Sequence, residues 1–379
     1  MKHGFFGLMI LAVIFGFSGN QEDNESPTFY PTDIIEISGN QFLVSNKGTK
    51  TVELYTADFA GSLRSWNFSE VPTGIDTRGD YAFITTSGFT SGFIGEVHFL
   101  NLKTGEIEKS LATGFGANTP LVSPDGNTLF VLNQFQNTVS RIDLNSQQVV
   151  ASVDVLREPR SAVIDSKGKY LFVANFLPAQ RADVDTVAAS VSVIDLNGFI
   201  KVKDIQLPNG SNAVRGMCLS PDGKYVFVTH NLGRFHVPTN QLLQGWMNTS
   251  AMSMIEVETL ERAGSVLLDE PERGAAGVWG VKCTDSNIIV THSGTHEVSV
   301  INYQVFKDKF NAHTDKNTLD YDLGFMVGIR ERIPLKGNGP RNFAISGDKA
   351  YIPTYFSDTL NIFDLDNGYI QSVALVENR

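Results

Sequence analysis

The chain has 379 residues, a hydrophobic fraction of 42% and a formal net charge of −11. Its length suits two average domains or one large all-β domain with a real core, and its 26 phenylalanines fit sheet packed on sheet. The acidic balance argues against nucleic acid as a partner, since a nucleic-acid groove needs a basic field.

Residues 1–18 read as a signal peptide. Lys2 and His3 form a short polar start, and Gly4 to Phe17 is an apolar run of about 14 residues, too short to cross a bilayer comfortably. Gly16 and Ser18 supply small residues for cleavage before Gly19. Residues 19–31 are polar and acidic and read as a tether. The region looks like a bacterial lipoprotein leader, but no cysteine stands where the lipid would attach; Asn20 is close to that place. The expectation is an exported protein of the periplasm or cell surface, touching a membrane only through its N-terminus.

From residue 32 onward one phrase recurs. It reads SPDGNTLFVLN at 123–133, DSKGKYLFVAN at 165–175, SPDGKYVFVTH at 220–230 and SGDKAYIPT at 346–354. Pro-Asp-Gly is turn chemistry, and the aromatic and β-branched run after it reads as a strand. A second phrase ends a strand on an acidic turn, at Thr51–Tyr55, Glu96–Leu102, Thr138–Leu144, Ser190–Leu196, Ala251–Val257, Glu297–Tyr303 and Thr359–Leu365. Each alternates apolar with small or polar residues, the period of a strand. Together they give seven units of four strands, about 32–70, 71–116, 117–157, 158–212, 213–275, 276–338 and 339–379. A unit this small cannot hide both faces alone, so the expected fold is all-β, a seven-bladed β-propeller whose blades bury one another around a channel. Whether Asp33–Ile37 belongs to blade one or closes blade seven stays open.

The phrases SPDGKYVFVTH, SKGKYLFVAN, TVSRIDL and SVSVIDL resemble the YVTN-type seven-bladed propellers of exported bacterial and archaeal surface-layer proteins, over about 30–379. A narrower resemblance lies in HNLGRFHVPTNQLLQGWMNTS at 230–250, which is similar to the propeller half of bacterial propeller–cytochrome c fusions. This chain carries no CxxCH haem-attachment motif. The redox half is therefore absent or lies on another polypeptide, and in the second case the resemblance implies a c-type cytochrome, or another redox enzyme, as partner. Propellers of similar repeat also include lactonases, which implies hydrolysis of a small anionic substrate as another possible activity. Propeller motifs specify fold far better than function.

Insertions at 85–95, 176–189 and 231–250 fall between second and third strands and should crowd one rim. The insertion 304–331 follows a third strand and should project from the opposite face. Two residue columns map to the loop-bearing rim. One closes the second strands: Asn46, Thr86, Asn133, Asn175, His230, His292 and Thr354. With His236 and His296 in the following loops, His230 and His292 are candidate metal ligands. The alternative is that His230 and His292 stand in for Asn as hydrogen-bonding caps, in which case no cofactor is expected. The other column opens the inner strands: Thr73, Asn118, Arg160, Arg215, Trp279 and Arg341. Arg160, Arg215 and Arg341 could clamp an anion, and Trp246 and Trp279 could add an aromatic contact surface. Structural roles for each remain open. The pairs Asp183/Asp185 and Asp364/Asp366 read as solvated turns rather than calcium loops. Cys218 and Cys283 are expected to be buried as small hydrophobes without a bridge. No catalytic residue is assigned. The leading expectation is a non-catalytic envelope module that binds a protein or a small anionic ligand at its rim.

Overall fold

The computed structural model describes residues 28–234 and 247–375. These residues form seven four-stranded antiparallel sheets, each a contiguous stretch of chain with its strands paired in sequence order. They are the blades of a seven-bladed β-propeller. Blades one to seven occupy 31–67, 72–112, 117–154, 159–206, 211–267, 278–334 and 344–374. The leader and residues 19–27 of the expected tether lie outside the described residues; its last residues instead join the propeller, with Phe29 buried and Pro31 opening the first strand.

The recurring phrases build each blade in the same way. In the turn before a second strand, the Ser123 hydroxyl accepts the Thr128 N–H at 3.0 Å, and the Ser220 hydroxyl accepts the Tyr225 N–H at 2.9 Å. Gly126 and Gly223 take φ of +69° there, the left-handed region that glycine enters without penalty. The second strands, such as Thr128–Asn133 and Tyr170–Asn175, are buried at every position after the first. A strand covered on both faces needs an apolar middle, and these have one, closed by a buried, hydrogen-bonded asparagine. The cover comes from the neighbouring blade: Phe83 and Phe99 of blade two pack with Leu129 and Val131 of blade three.

The first strand stays in blade one, pairing with Gln41–Asn46. Among the described residues no strand is exchanged between blades one and seven, and side-chain contacts close the ring. Phe42 of blade one lies 4.2 Å from the Tyr351 ring of blade seven, with Phe59 completing the cluster. The Asp358 carboxylate accepts the N–H groups of Phe29 and Tyr30 at 3.0 and 2.9 Å, while its own carbonyl accepts the Leu375 N–H at 2.8 Å. Asp358→Ala strands two backbone donors and is expected to lose about 1–3 kcal/mol, read as a lower urea midpoint. Asp358→Asn, which keeps one acceptor, should fall between.

The insertion in blade six leaves from the far face as expected, but folds back along the edge of blade five instead of projecting. It contains a helix, Tyr303–Ala312, capped by the Asn302 side chain, which accepts the Val305 N–H at 3.0 Å. Tyr303, Phe306 and Phe310 form its buried face and pack on Phe227 of blade five. A Cβ on Gly264, in the outer strand of blade five, would meet the Phe310 ring at 2.9 Å, so that glycine admits the helix. At the far face Asp222 receives the Tyr303 hydroxyl and the Lys307 ammonium, each at 2.7 Å. The segment then climbs the edge of blade five through Arg262–Asp320 and reaches Arg234, which donates to the Tyr321 carbonyl at 3.3 Å. Cys218 and Cys283 are unbridged as expected, though only Cys218 is fully buried. They sit on neighbouring inner strands with their sulfurs 2.7 Å apart, Cys218 buried and Cys283 half-buried, both thiols free.

Candidate functional site at the channel mouth

Backbone irregularity builds this site. In six blades the register between inner and second strand slips near the loop-bearing end. Such a bulge inserts an unpaired residue and re-aims its side chain. Thr32, Thr73, Thr119 and Arg160 occupy the slips in blades one to four; those in blades five and six contain Arg215 and Trp279. The sequence column was one residue off in blade three. Asn118 is buried and donates to the Gly116 carbonyl at 2.9 Å, and Thr119 holds the equivalent place.

Arg215, Trp279 and Arg341 come together with aromatic rings in alternation. The Arg215 guanidinium lies 5.5 Å from the Phe176 ring and 4.6 Å from Trp279. Arg341 lies 4.3 Å from Trp279 and 3.3 Å from Tyr355, which stacks on Tyr30 at 5.0 Å. The ladder runs from the blade-four loop to the strap before blade one. Arg160 stands beside it and donates to Gln134 at 2.9 Å. Threonines of the preceding blades fix three of these residues by their backbone carbonyls: Thr119 holds Arg160 at 3.0 Å, Thr229 holds Trp279 at 2.6 Å and Thr291 holds Arg341 at 2.7 Å. Sequence reasoning missed these threonines.

Charge is concentrated here against the sign of the whole chain. Among the described residues, none of the three arginines forms a salt bridge. Burial, and then the fields of Arg160 and Arg341, pull the Arg215 pKa down to about 10. Glu158 offsets part of the field at Arg160, but its carboxylate is hydrogen-bonded by Gln134 at 3.1 Å. A cavity of about 350 Å³ opens between Arg160, Arg341, Gln134, Phe89, Phe135 and Lys47. Below it the channel narrows past Arg215 to Asp33, Asp76 and Lys282. Burial pushes the Asp33 carboxyl up to about 6, against the pull of Lys282. Asp33 accepts the Ile75 N–H at 3.1 Å, and Asp76 the Val122 N–H at 2.7 Å, each clasping the next blade.

The histidines are arranged differently. The His292 Nδ1–H donates to the Ala275 carbonyl at 3.0 Å, and its Nε2 accepts from the Ser299 hydroxyl at 2.8 Å. His230 bonds the Asn231 carbonyl at 3.1 Å and the Ser253 hydroxyl at 2.8 Å. These are the places where Asn133 and Asn175 bond Ser140 and Ser192. The Nδ1 of His296 accepts the Gly339 N–H at 3.1 Å. His236 and Trp246 lie outside the described residues. Among the described residues no group of three His, Cys, Asp or Glu side chains converges on a point a metal could occupy.

Burial as neutral rings pushes His230 down to about 4 and His292 to about 3, from the ordinary 6.5. Between those values the unfolded chain binds protons that the folded one refuses. The stability is therefore fully present above pH 6.5 and lost as pH falls through the folded values. His230→Asn/His292→Asn, which copies the other blades, is expected to move the acid-unfolding midpoint to lower pH, followed by circular dichroism.

Asp183 pairs with Arg181 at 2.6 Å, and Asp364 accepts the N–H groups of Asp366 and Asn367 at 3.0 and 3.1 Å, as solvated turns do. A second feature of the rim escaped the sequence reading. Phe89, Phe93 and Phe135 are exposed and meet around Phe115 with ring centroids 5.0–5.3 Å apart. Exposed aromatics are ordinary singly, but a contiguous cluster marks a contact surface.

No family model matches the chain. It is 25% identical over 238 residues to the hydrazine synthase subunit beta of Kuenenia stuttgartiensis, a match covering 60% of this chain and 58% of that protein's length. A solved structure of Kuenenia stuttgartiensis hydrazine synthase superposes with a TM-score of 0.77 at 20% identity, over 95% of this chain and 100% of the other, a likeness of fold.

Proposed function

We propose that this chain is an exported, non-catalytic propeller subunit of a multi-protein redox enzyme, and that its loop-bearing rim docks a c-type cytochrome partner. The observation that carries this reading is the similarity to a protein named as a subunit of hydrazine synthase. The Phe89, Phe93 and Phe135 cluster supports it, because a docking face needs exposed apolar anchors and this rim has them. Lactone hydrolysis has less behind it: Glu158, the carboxylate beside Arg160, is engaged by Gln134 rather than free to act as a base.

The test is purification of the tagged chain from its source organism under mild conditions, followed by size exclusion with haem absorbance recorded. Stoichiometric co-elution of a haem protein, lost in Phe89→Asp/Phe135→Asp, is the expected result. A haem-free monomer in both the wild type and the variant overturns the reading.

A further inference from the structure

We propose that the channel mouth is a binding site for a carboxylate carried on an apolar body, held by Arg160 and Arg341 at the rim with Arg215 behind them. This inference stands apart from whether the chain has a protein partner.

Four observations carry it. First, three guanidiniums share one mouth, and among the described residues none has a carboxylate at salt-bridge distance. Such a cluster repels itself, and among the described residues the nearby acids are otherwise engaged: Glu158 with Gln134, and Asp33 and Asp76, deeper in the channel, with the Ile75 and Val122 N–H groups. Second, the buried Nε of Arg341 has no hydrogen-bond partner. An unmade bond of that kind to a charged donor is expensive, which makes it a marker of a site that something completes. Third, the faces of Arg215 and Arg341 are stacked on Trp279, Phe176 and Tyr355. Stacking fixes the guanidinium planes, and apart from one Arg215 N–H on the Ala213 carbonyl at 3.4 Å and the contact of Arg341 with Tyr355, N–H groups remain for the fork geometry that a carboxylate matches. Fourth, the adjoining cavity of about 350 Å³ has Phe89 and Phe135 in its wall beside Thr73 and Gln134. An inorganic oxyanion would leave that apolar wall uncovered. A carboxylate with an aromatic or aliphatic body fills both parts.

The pre-set backbone strengthens the argument. Thr119 and Thr291 hold the carbonyls of Arg160 and Arg341, so the receptor is built before any ligand arrives. Electrostatics supports it too: burial first, and then the fields of Arg160 and Arg341, lower the Arg215 pKa, and an anion entering the mouth would offset that second, repulsive part.

The experiment is titration of the purified full chain with benzoate in a chloride-free buffer, by calorimetry and by fluorescence, Trp279 being the reporting indole. Benzamide, the neutral near-isostere, and sulfate are run beside it. Saturable benzoate binding that benzamide and sulfate do not reproduce is expected, weakened about tenfold or more in Arg160→Gln and in Arg341→Gln. Arg341→Lys keeps the charge but not the fork and should retain part of the affinity. Should the glutamine variants fold poorly by circular dichroism, the comparison of benzoate with benzamide on the wild type still decides. Equal binding of benzamide, or no saturable benzoate binding in the millimolar range, overturns the proposal. Sulfate binding at the benzoate level would also overturn it, leaving a generic anion site.

Discussion

Arg332→Ala is expected to destabilise the propeller by about 3–5 kcal/mol, the range for breaking a buried ion pair by removing one partner. Arg332 lies in the outer strand of blade six with its side chain 4% exposed, and it pairs with Glu297, 1% exposed. It also donates to the carbonyls of Gly274 and Arg273, at 2.5 and 3.0 Å, and so pins the 268–277 connector onto the blade. Arg330 beside it bonds Glu270 and the Leu268 carbonyl. Truncation leaves Glu297 with the exposed Arg273 as its ionic partner, beside the Thr295 hydroxyl, and takes a donor from the Gly274 carbonyl, while the Arg273 carbonyl keeps the Glu270 N–H. The double variant Arg332→Met/Glu297→Gln removes the buried charge with its partner and should be more stable than Arg332→Ala. Denaturant midpoints for the three proteins check this. A double variant no better than the single would mean that packing of the arginine stem, not the stranded carboxylate, carries the loss.

Phe42→Ala should be as severe, about 3–5 kcal/mol, because a fully buried aromatic leaves a cavity that its surroundings fill only in part. Phe42 is 0% exposed and touches the Tyr351 ring across the interface of blades one and seven. Phe172→Ala is its control: it is also 0% exposed, but packs in the core shared by blades four and five. Hydrogen exchange distinguishes the two. In Phe42→Ala protection should fail first in blades one and seven, where no strand crosses. In Phe172→Ala it should fail at the middle of the ring, with continuous chain on either side. Equal patterns in the two variants would show that the first–last interface is no weaker than the others.

The fold was legible because each blade repeats a local problem. Ser-Pro-Asp-Gly states a turn, and FVLN or FVAN states a strand covered on both sides. The contacts that close the ring were not legible, since Asp358 and Phe29 are distant in sequence and neither belongs to a repeated phrase. The helix Tyr303–Ala312 was missed although its buried residues fall at helical spacing; three aromatics in ten residues, inside a chain of strands, do not stand out. At the mouth, Arg160, Arg215, Trp279 and Arg341 could be aligned by counting. Asn118 could not, because a bulge moves the count by one. One signal was available and unused: the residue bonded by the second-strand column is Ser140, Ser192, Ser253 and Ser299 in four blades and His98 in another. A hydroxyl held at that place marks His230 and His292 as members of a structural pair.

Because every blade is one unbroken length of chain, the propeller has the mechanics of a bracelet with a single clasp. Residues 29 and 30 and residue 375 all bond to Asp358, so both ends of the described chain meet at that clasp. Tension applied between them loads the first–last seam by peeling, contact after contact, rather than shearing a whole sheet at once. The ring should then open at low force and unwind blade by blade. A circular permutant with residues 28 and 375 joined, cut instead between blades three and four, would turn the old clasp into an ordinary link and move the weak point across the ring.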